Sequence, residues 1–186
     1  TVASVGAGDT VEVTLDQTPF YAESGGQVGD TGTLAGPTGV SVIGDTQKAL
    51  GGVTVHLGKV TEGTVQVGQV VQATVDEERR LDIARNHTAT HLLHKALRAV
   101  LGEHATQHGS LVATDRLRFD FSHLQAVTPE ELEQIERQVN AAMRADMPVN
   151  SKVLPYAQAI STGAMALFGE KYGETVRMIT VGDGQE

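Results

Sequence analysis

The fold is decided at residues 70–101, VVQATVDEERRLDIARNHTATHLLHKALRAVL. The first six residues read as a β-strand, whereas apolar residues beyond Asp76 recur at helical spacing. Asp76 is a suitable N-cap, acidic residues favour the first helical turn, and Gly102 is a stop signal. The sequence therefore predicts a change near residue 76, from a strand-rich part to a long helix.

The chain before this change, residues 1–75, is rich in Gly, Val and Thr. Several short segments alternate between apolar and polar residues, with glycine-containing turns between them. The segments are residues 11–15, 39–43, 53–57 and 70–75. This pattern is typical of an antiparallel sheet that curls, and it predicts a small β-barrel subdomain.

The chain after the change, residues 76–186, mixes helices with strands. A second helix is predicted to start at Thr128, because Thr128 and Glu131 form a capping-box pattern and Pro129 suits the first helical position. Its predicted buried stripe is Leu132, Ile135, Val139 and Met143. Strands are predicted at residues 116–121, 149–154 and 176–181, and a short helix at 156–161. Helices lying on an antiparallel sheet make the predicted fold class α+β.

Composition excludes several classes of protein. The 186 residues carry a net charge of −9, and residues 1–75 alone hold two basic and seven acidic side chains. Because no basic surface is indicated, an RNA substrate would have to be held mainly by other domains. Since no cysteine is present, a metal site must use His, Asp or Glu. We expect a cytoplasmic piece of a longer protein, without membrane spans.

Two histidines, His87 and His91, lie four residues apart inside the predicted helix. This spacing places both side chains on one face, where their rings could hold one metal ion. The same spacing also suits surface or packing histidines. His94 shares the face, as a third ligand or as an exposed neighbour. No Glu follows His87 directly, so the metalloprotease pattern is absent.

A glycine-rich segment, DQTPFYAESGGQVGD, spans residues 16–30. Its glycines permit positive φ and close approach of a ligand, and exposed backbone amides there could hold an anion or a carbonyl oxygen. Gln27 can donate and accept hydrogen bonds at once. The alternative is an ordinary turn of the predicted barrel.

Two further segments have the composition of functional loops or strands. Residues 109–112, GSLV, precede a strand on which Arg118 and Asp120 face the same side, where they can contact a substrate or simply pair with each other. Residues 163–173 are small, apolar and punctuated by glycine, which suits a tight crossover or a substrate-facing loop.

Together these segments resemble the editing domain of alanyl-tRNA synthetases and the free-standing alanyl-tRNA editing proteins. Residues 16–30 resemble the family's glycine motif, and residues 86–93 resemble the first half of its zinc motif. Residues 109–112, 117–123 and 163–173 match further segments in the same order. The resemblance covers nearly the whole chain.

The resemblance implies a zinc site in the full-length protein. Its ligands would be His87 and His91, with a Cys and a His from a later Cys-x-x-x-His segment. That segment is expected shortly after Gly184, whereas the chain ends at Glu186. We therefore expect this chain to hold zinc weakly or not at all, and His94, His108 and His123 are the substitute ligands to examine.

The resemblance also implies a function, proofreading by hydrolysis of the ester that joins serine or glycine to the 3′ end of tRNA(Ala). Gln27 and Thr18 would be the catalytic residues in the amino-acid pocket, and Gly25, Gly26, Arg118 and Asp120 would contact the substrate. ATP would be used elsewhere in the parent synthetase, whose other domains are the expected partners. The alternative is a metal-free structural or tRNA-positioning module.

Overall fold

The computed structural model describes residues 2–164 and 173–182. The chain divides into two compact units. The first unit comprises Thr1–His91 and His108–Phe121, and the second comprises Leu92–Gln107 and Ser122–Glu186. One long helix runs from the first unit into the second. These compact units are not the two subdomains predicted from the sequence. The subdomain boundary at residues 75 and 76 stays a prediction.

The first unit is built mainly of antiparallel strands. They are β1 (Ser4–Gly6), β2 (Thr10–Val13), β3 (Gly32–Ala35), β4 (Gly39–Lys48), β5 (Thr54–Gln66) and β6 (Gln72–Val75). They pair in the order β1-β5-β4-β3-β6, and β2 also pairs with β5. Strand pairing in this order gives a six-stranded sheet, and its closure into a barrel stays a prediction.

The remaining elements mix helix and strand. They are α1 (Glu77–Leu101), β7 (Gln107–Val112), β8 (Leu117–Phe121), α2 (Pro129–Arg144), β9 (Val149–Pro155), α3 (Tyr156–Ser161) and β10 (Thr175–Val181). β7 pairs with β8, and β9 pairs with β10 in antiparallel register. The predicted α+β class is confirmed, because antiparallel sheets and separate helices make up the described chain.

The helix starts follow the capping rules from which they were predicted. The Arg79 amide donates to the Asp76 carboxylate at 3.1 Å, so Asp76 caps α1. At α2 the Glu131 amide donates to the Thr128 hydroxyl, and the Thr128 amide donates to the Glu131 carboxylate. This reciprocal pair is the predicted capping box, and the bond from the Thr128 amide lowers the pKa of Glu131.

The predicted buried stripe of α2 was wrong in part. Ile135 is buried, whereas Leu132 is 54% exposed and Met143 is 55% exposed. Helical periodicity assigns these residues to one side of the helix, but it does not determine how much of that side another element covers. In this structure Ile135 is the buried member of the predicted stripe, and the two ends of the stripe are exposed to solvent.

The sheet core contains Phe20, Leu34 and Ile43, each at most 5% exposed. Phe20 belongs to the glycine-rich segment, residues 16–30, rather than to a strand. Partly buried apolar residues, including Val13 and Val75, pack against this three-residue cluster. The glycine-rich segment is therefore fixed to the sheet by an aromatic side chain near its start.

A buried ion pair fixes the other end of this segment to α1. Asp30 is 1% exposed, and its carboxylate accepts a 2.5 Å hydrogen bond from the Tyr21 amide and pairs with the Arg80 guanidinium. Arg80 also donates to the Pro19 carbonyl at 2.6 Å, and Arg79 donates to the Gly29 carbonyl at 2.8 Å. Two consecutive arginines thus hold both ends of the glycine-rich segment.

The ion pair predicts a large effect of one substitution. Arg80→Met keeps most of the aliphatic length but leaves the Asp30 carboxylate buried without its cation. Because Arg80 is itself partly exposed, we expect the free energy of unfolding to fall by about 2–3 kcal/mol, measured by urea denaturation. Arg85→Met is the matched control, since Arg85 forms a surface pair with Asp82 and should change stability by less than about 0.5 kcal/mol. Equal losses in the two variants would contradict this assignment.

Candidate functional site

The glycine-rich segment folds back on itself. The Asp30 amide donates to the Tyr21 carbonyl at 2.9 Å, and Ser24 and Gln27 exchange backbone hydrogen bonds across the tip. The two glycines at this tip have positive φ, 60° at Gly25 and 82° at Gly26. Other residues rarely adopt this conformation, so the predicted need for glycine at the turn is explained by backbone geometry.

The backbone of Ser110 also leaves no room for a side chain at position 26. A Cβ at Gly26 would overlap with the Ser110 carbonyl oxygen. The Val112 amide donates to the Gly26 carbonyl at 2.8 Å, and the Val28 amide donates to the Val112 carbonyl at 3.1 Å. The glycine motif and the GSLV motif, far apart in sequence, are therefore joined through their backbones.

The same segment places Gln27 against His87 of α1. The Gln27 amide oxygen lies 2.6 Å from Nδ1 of His87. An amide oxygen only accepts hydrogen bonds, so Nδ1 carries the proton and Nε2 keeps the lone pair. Such a bond fixes the ring and leaves its second nitrogen ready to bind a metal ion.

His87 and His91 lie side by side, as their four-residue spacing requires. Their ring centroids are 5.3 Å apart, and the ring planes differ by 18°. Burial lowers the pKa of both rings, and the neighbouring His91 lowers the pKa of His87 further. Both rings are therefore neutral, the state in which imidazole binds metals, down to a lower pH than free histidine.

These two rings could provide two of the four ligands that a tetrahedral zinc ion needs. Among residues 2–164 and 173–182, no three His, Asp or Glu side chains are grouped to hold a metal ion. His94, predicted to be either a third ligand or an exposed neighbour, is not exposed, since only 5% of its surface is accessible. The described residues therefore fit half of a zinc site and not a complete one.

His123 pairs with a different histidine. Its Nδ1 lies 2.9 Å from Nε2 of His104, and the ring centroids are 5.2 Å apart. At this distance the two nitrogens share a hydrogen bond, in which one ring donates and the other accepts. That bond already occupies the nitrogen of His123 that faces its neighbour.

Thr18 has a hydrogen-bond partner that the sequence analysis missed. Its hydroxyl lies 2.7 Å from Nε2 of His56, a ring with no exposed surface. Nδ1 of His56 lies 2.9 Å from the Val13 carbonyl. The sequence carries no signal for this bond, because the alternation of residues 53–57 places His56 on the polar side, whereas in the structure His56 is the buried residue.

Asn86 is a second residue whose role the sequence analysis did not identify. Its side-chain amide donates to the carbonyls of Ala113 at 2.8 Å and Thr114 at 3.1 Å. These bonds fix α1, one residue before His87, to the loop that follows β7.

The hydroxyls of Thr88 and Thr90 donate back to helix carbonyls, which satisfies them within α1.

Arg118 and Asp120, the other side chains predicted to contact a substrate, form an ion pair with each other. Arg118 and Asp120 pair with each other at 3.1 Å on the exposed side of β8, which was the simpler of the two alternatives. The Asp120 carboxylate also lies beside Gly109, where a Cβ would come within 2.8 Å of it. Of the segment 163–173, residues 165–172 lie outside the described residues.

Comparison with known proteins identifies the relatives of this chain. The family described as tRNA synthetases class II (A) matches residues 1–79. Alanine–tRNA ligase of Roseiflexus castenholzii is 61% identical over 181 residues, which are 97% of this chain and 20% of that protein. The chain is homologous to alanine–tRNA ligases. Those of Chloroflexus aurantiacus and Paracoccus denitrificans are 58% and 53% identical, over 99% and 98% of this chain and 21% and 20% of their own lengths.

The chain thus spans about a fifth of the length of the curated relatives that it matches. The family match covers the sheet and ends in the first turn of α1. None of the helices within residues 2–164 and 173–182 has the length and hydropathy that a membrane-spanning helix needs.

The lowered pKa values give a direct test of the histidine pair. We expect His87 and His91 to titrate below the free-histidine value of about 6.5 when followed by NMR, with resonances assigned through His87→Gln and His91→Gln. The neutral rings stabilise the folded state fully above that value, and this contribution is lost as pH falls through the lowered folded-state pKa. The control is the urea-unfolded chain, which should titrate near the ordinary value. Folded-state midpoints at or above it would contradict the burial argument.

Proposed function

We propose that this chain is the editing domain of an alanine–tRNA ligase and that it removes serine or glycine from mischarged tRNA(Ala) by ester hydrolysis. The observation that carries the proposal is the hydrogen bond between Gln27 and His87. It joins the glycine motif to the histidine motif, the two segments on which the family resemblance mainly rests. The strong similarity to alanine–tRNA ligases over nearly the whole chain supports the same proposal.

A second site of this kind answers a problem of discrimination. A pocket that accepts alanine excludes glycine poorly, because one methyl group contributes only about 1–3 kcal/mol. Serine differs from alanine by one hydroxyl and is also hard to exclude. Hydrolysis at a separate site removes the products of both errors.

The reaction requires water to attack the ester carbonyl while negative charge develops on the carbonyl oxygen. Gln27 holds His87 in one orientation, and its amide nitrogen keeps two N–H groups with which it can position water or the ester. Gly25 and Gly26 remove side chains from the tip of the loop, so that a substrate can approach the backbone there. Thr18 supplies a hydroxyl toward the amino acid.

Zinc belongs to the proposal for the full-length protein. His87 and His91 would hold it, together with ligands from outside the described residues. Bound zinc polarises a carbonyl or activates water. The tRNA(Ala) 3′ end is the proposed partner at this site, and other domains of the synthetase would hold the rest of the tRNA, since the chain has a net charge of −9. We propose the cytoplasm as its location.

The alternative is a metal-free module that positions tRNA or supports neighbouring domains. The observation that favours it is the incomplete ligand set, in which the described residues provide two imidazoles and no third ligand beside them. Activity measurements distinguish the two proposals, because only the editing domain loses hydrolysis when its histidines are changed.

The decisive assay is deacylation of seryl-tRNA(Ala) by the full-length synthetase that contains this chain. Gln27→Ala should lower kcat/KM by roughly 10–100-fold, as loss of a ligand-orienting partner does elsewhere. His87→Ala should lower it at least as much, whereas His108→Ala is the matched control and should retain activity, because His108 is an exposed residue of β7. Charging with alanine should be unchanged in all three. Wild-type protein without deacylase activity would refute the editing proposal.

Metal content tests the proposed ligands separately. The full-length protein should contain zinc after dialysis, and His87→Asn and His91→Asn should each lower the zinc content, as measured by atomic spectroscopy. Gln27→Ala should weaken zinc binding by roughly 10–100-fold, because it frees the His87 ring without removing a ligand. Zinc retained at wild-type affinity in both histidine variants would show that the ligands lie elsewhere.

A further inference from the structure

Thr18 of the glycine-rich segment and His56 of β5 form a partly buried hydrogen-bonded chain. Nδ1 of His56 lies 2.9 Å from the Val13 carbonyl oxygen, which can only accept, so Nδ1 carries a proton. In a neutral imidazole the other nitrogen is then an acceptor. Nε2 lies 2.7 Å from the Thr18 hydroxyl, and the Thr18 hydroxyl therefore donates its proton to His56.

This arrangement determines what Thr18 can offer a ligand. A hydroxyl has one proton and two lone pairs. The proton is directed to His56, and one lone pair accepts from the Phe20 amide at 3.1 Å. The remaining lone pair can only accept a hydrogen bond. Thr18 itself is partly exposed.

The orientation of His56 is itself fixed by packing. The ring has no exposed surface, and the Phe20 ring meets it edge to face with centroids 5.1 Å apart. Phe20 is also a core residue of the sheet. The imidazole cannot rotate to exchange its two nitrogens without breaking both hydrogen bonds and this contact.

We propose that His56 is a positioning residue that makes Thr18 a hydrogen-bond acceptor for the side-chain hydroxyl of serine. This inference rests on the proposed editing function. Serine carries a hydroxyl that can donate to Thr18, whereas glycine has no side-chain donor and alanine presents a methyl group. A freely rotating threonine would accept or donate, but the hydroxyl held by His56 selects a donor. Selection by an oriented buried partner is stronger than selection by size.

The test compares two substrates in the full-length synthetase. His56→Asn keeps an amide that can donate to the Val13 carbonyl but removes the acceptor for the Thr18 proton. We expect kcat/KM for seryl-tRNA(Ala) to fall about 5- to 10-fold, the effect of one neutral hydrogen bond. Glycyl-tRNA(Ala) should change less than about 2-fold, since glycine does not use that bond. The ratio of the two values is the readout, because a general structural defect lowers both.

Three further variants define the mechanism. His56→Gln returns an amide oxygen near the position of Nε2 and should restore most of the serine preference. Thr18→Ser keeps the hydroxyl and should retain the preference, whereas Thr18→Val should lose it. His56→Asn combined with Thr18→Val should lose no more preference than Thr18→Val alone, since the two residues act through one bond. Thermal unfolding of each variant shows which of them fold. If a His56 variant does not fold, the preference for serine over glycine is measured in Thr18→Val instead, because that variant keeps the buried histidine.

Two results would overturn the inference while leaving the editing function intact. One is equal loss of seryl and glycyl hydrolysis in folded His56→Asn, and the other is additive loss of preference in the double variant. Absence of hydrolysis of both substrates by wild-type protein would refute the proposed function instead. The two failures are thereby distinguished.

Discussion

The Asp30 carboxylate is almost completely buried and is neutralised by Arg80, the fourth residue of α1. A buried carboxylate is tolerated only when it is paired and hydrogen-bonded. This constraint fixes where the glycine-rich segment ends relative to the helix that carries His87. Without it, the turn that presents Gln27 has fewer contacts to hold it, and the Gln27–His87 bond depends on that turn. The ion pair thus supports the candidate site although it takes no part in the chemistry.

The candidate site combines a backbone frame with two side-chain hydrogen bonds, one exposed and one partly buried. Gly26 lies against Ser110, and backbone bonds through Val112 hold the turn in place. On this frame, Gln27 fixes the tautomer of His87, while His56 fixes the proton of Thr18. Each bond has one defined donor and one defined acceptor. The site therefore presents a lone pair on Nε2 of His87 and one on the Thr18 hydroxyl oxygen in fixed orientations. Such pre-organisation suits the proposed hydrolysis of a small amino-acid ester.

The local features of the fold were accessible from sequence because they depend on neighbouring residues. Asp76, Thr128 and Glu131 cap helices through bonds that span three residues, and their predicted roles were confirmed. Alternation likewise located most strands. The exposed Leu132 and Met143 show the limit of this reasoning, because periodicity does not report which residues another element covers. The missed Asn86 shows the same limit for polar side chains.

The sequence by itself determined the α+β class, the two principal helices and the shared face of His87 and His91, since each follows from short-range backbone geometry. The tertiary structure decided which polar groups meet. Thr18 and His56 are 38 residues apart, Asp30 and Arg80 are 50 apart, and Gln27 and His87 are 60 apart. No periodicity relates such distant residues. Asp30 and His56 are buried, and a buried donor or acceptor must find a partner once folding removes it from water, whereas the Gln27–His87 bond forms at the surface where the glycine-rich turn meets α1.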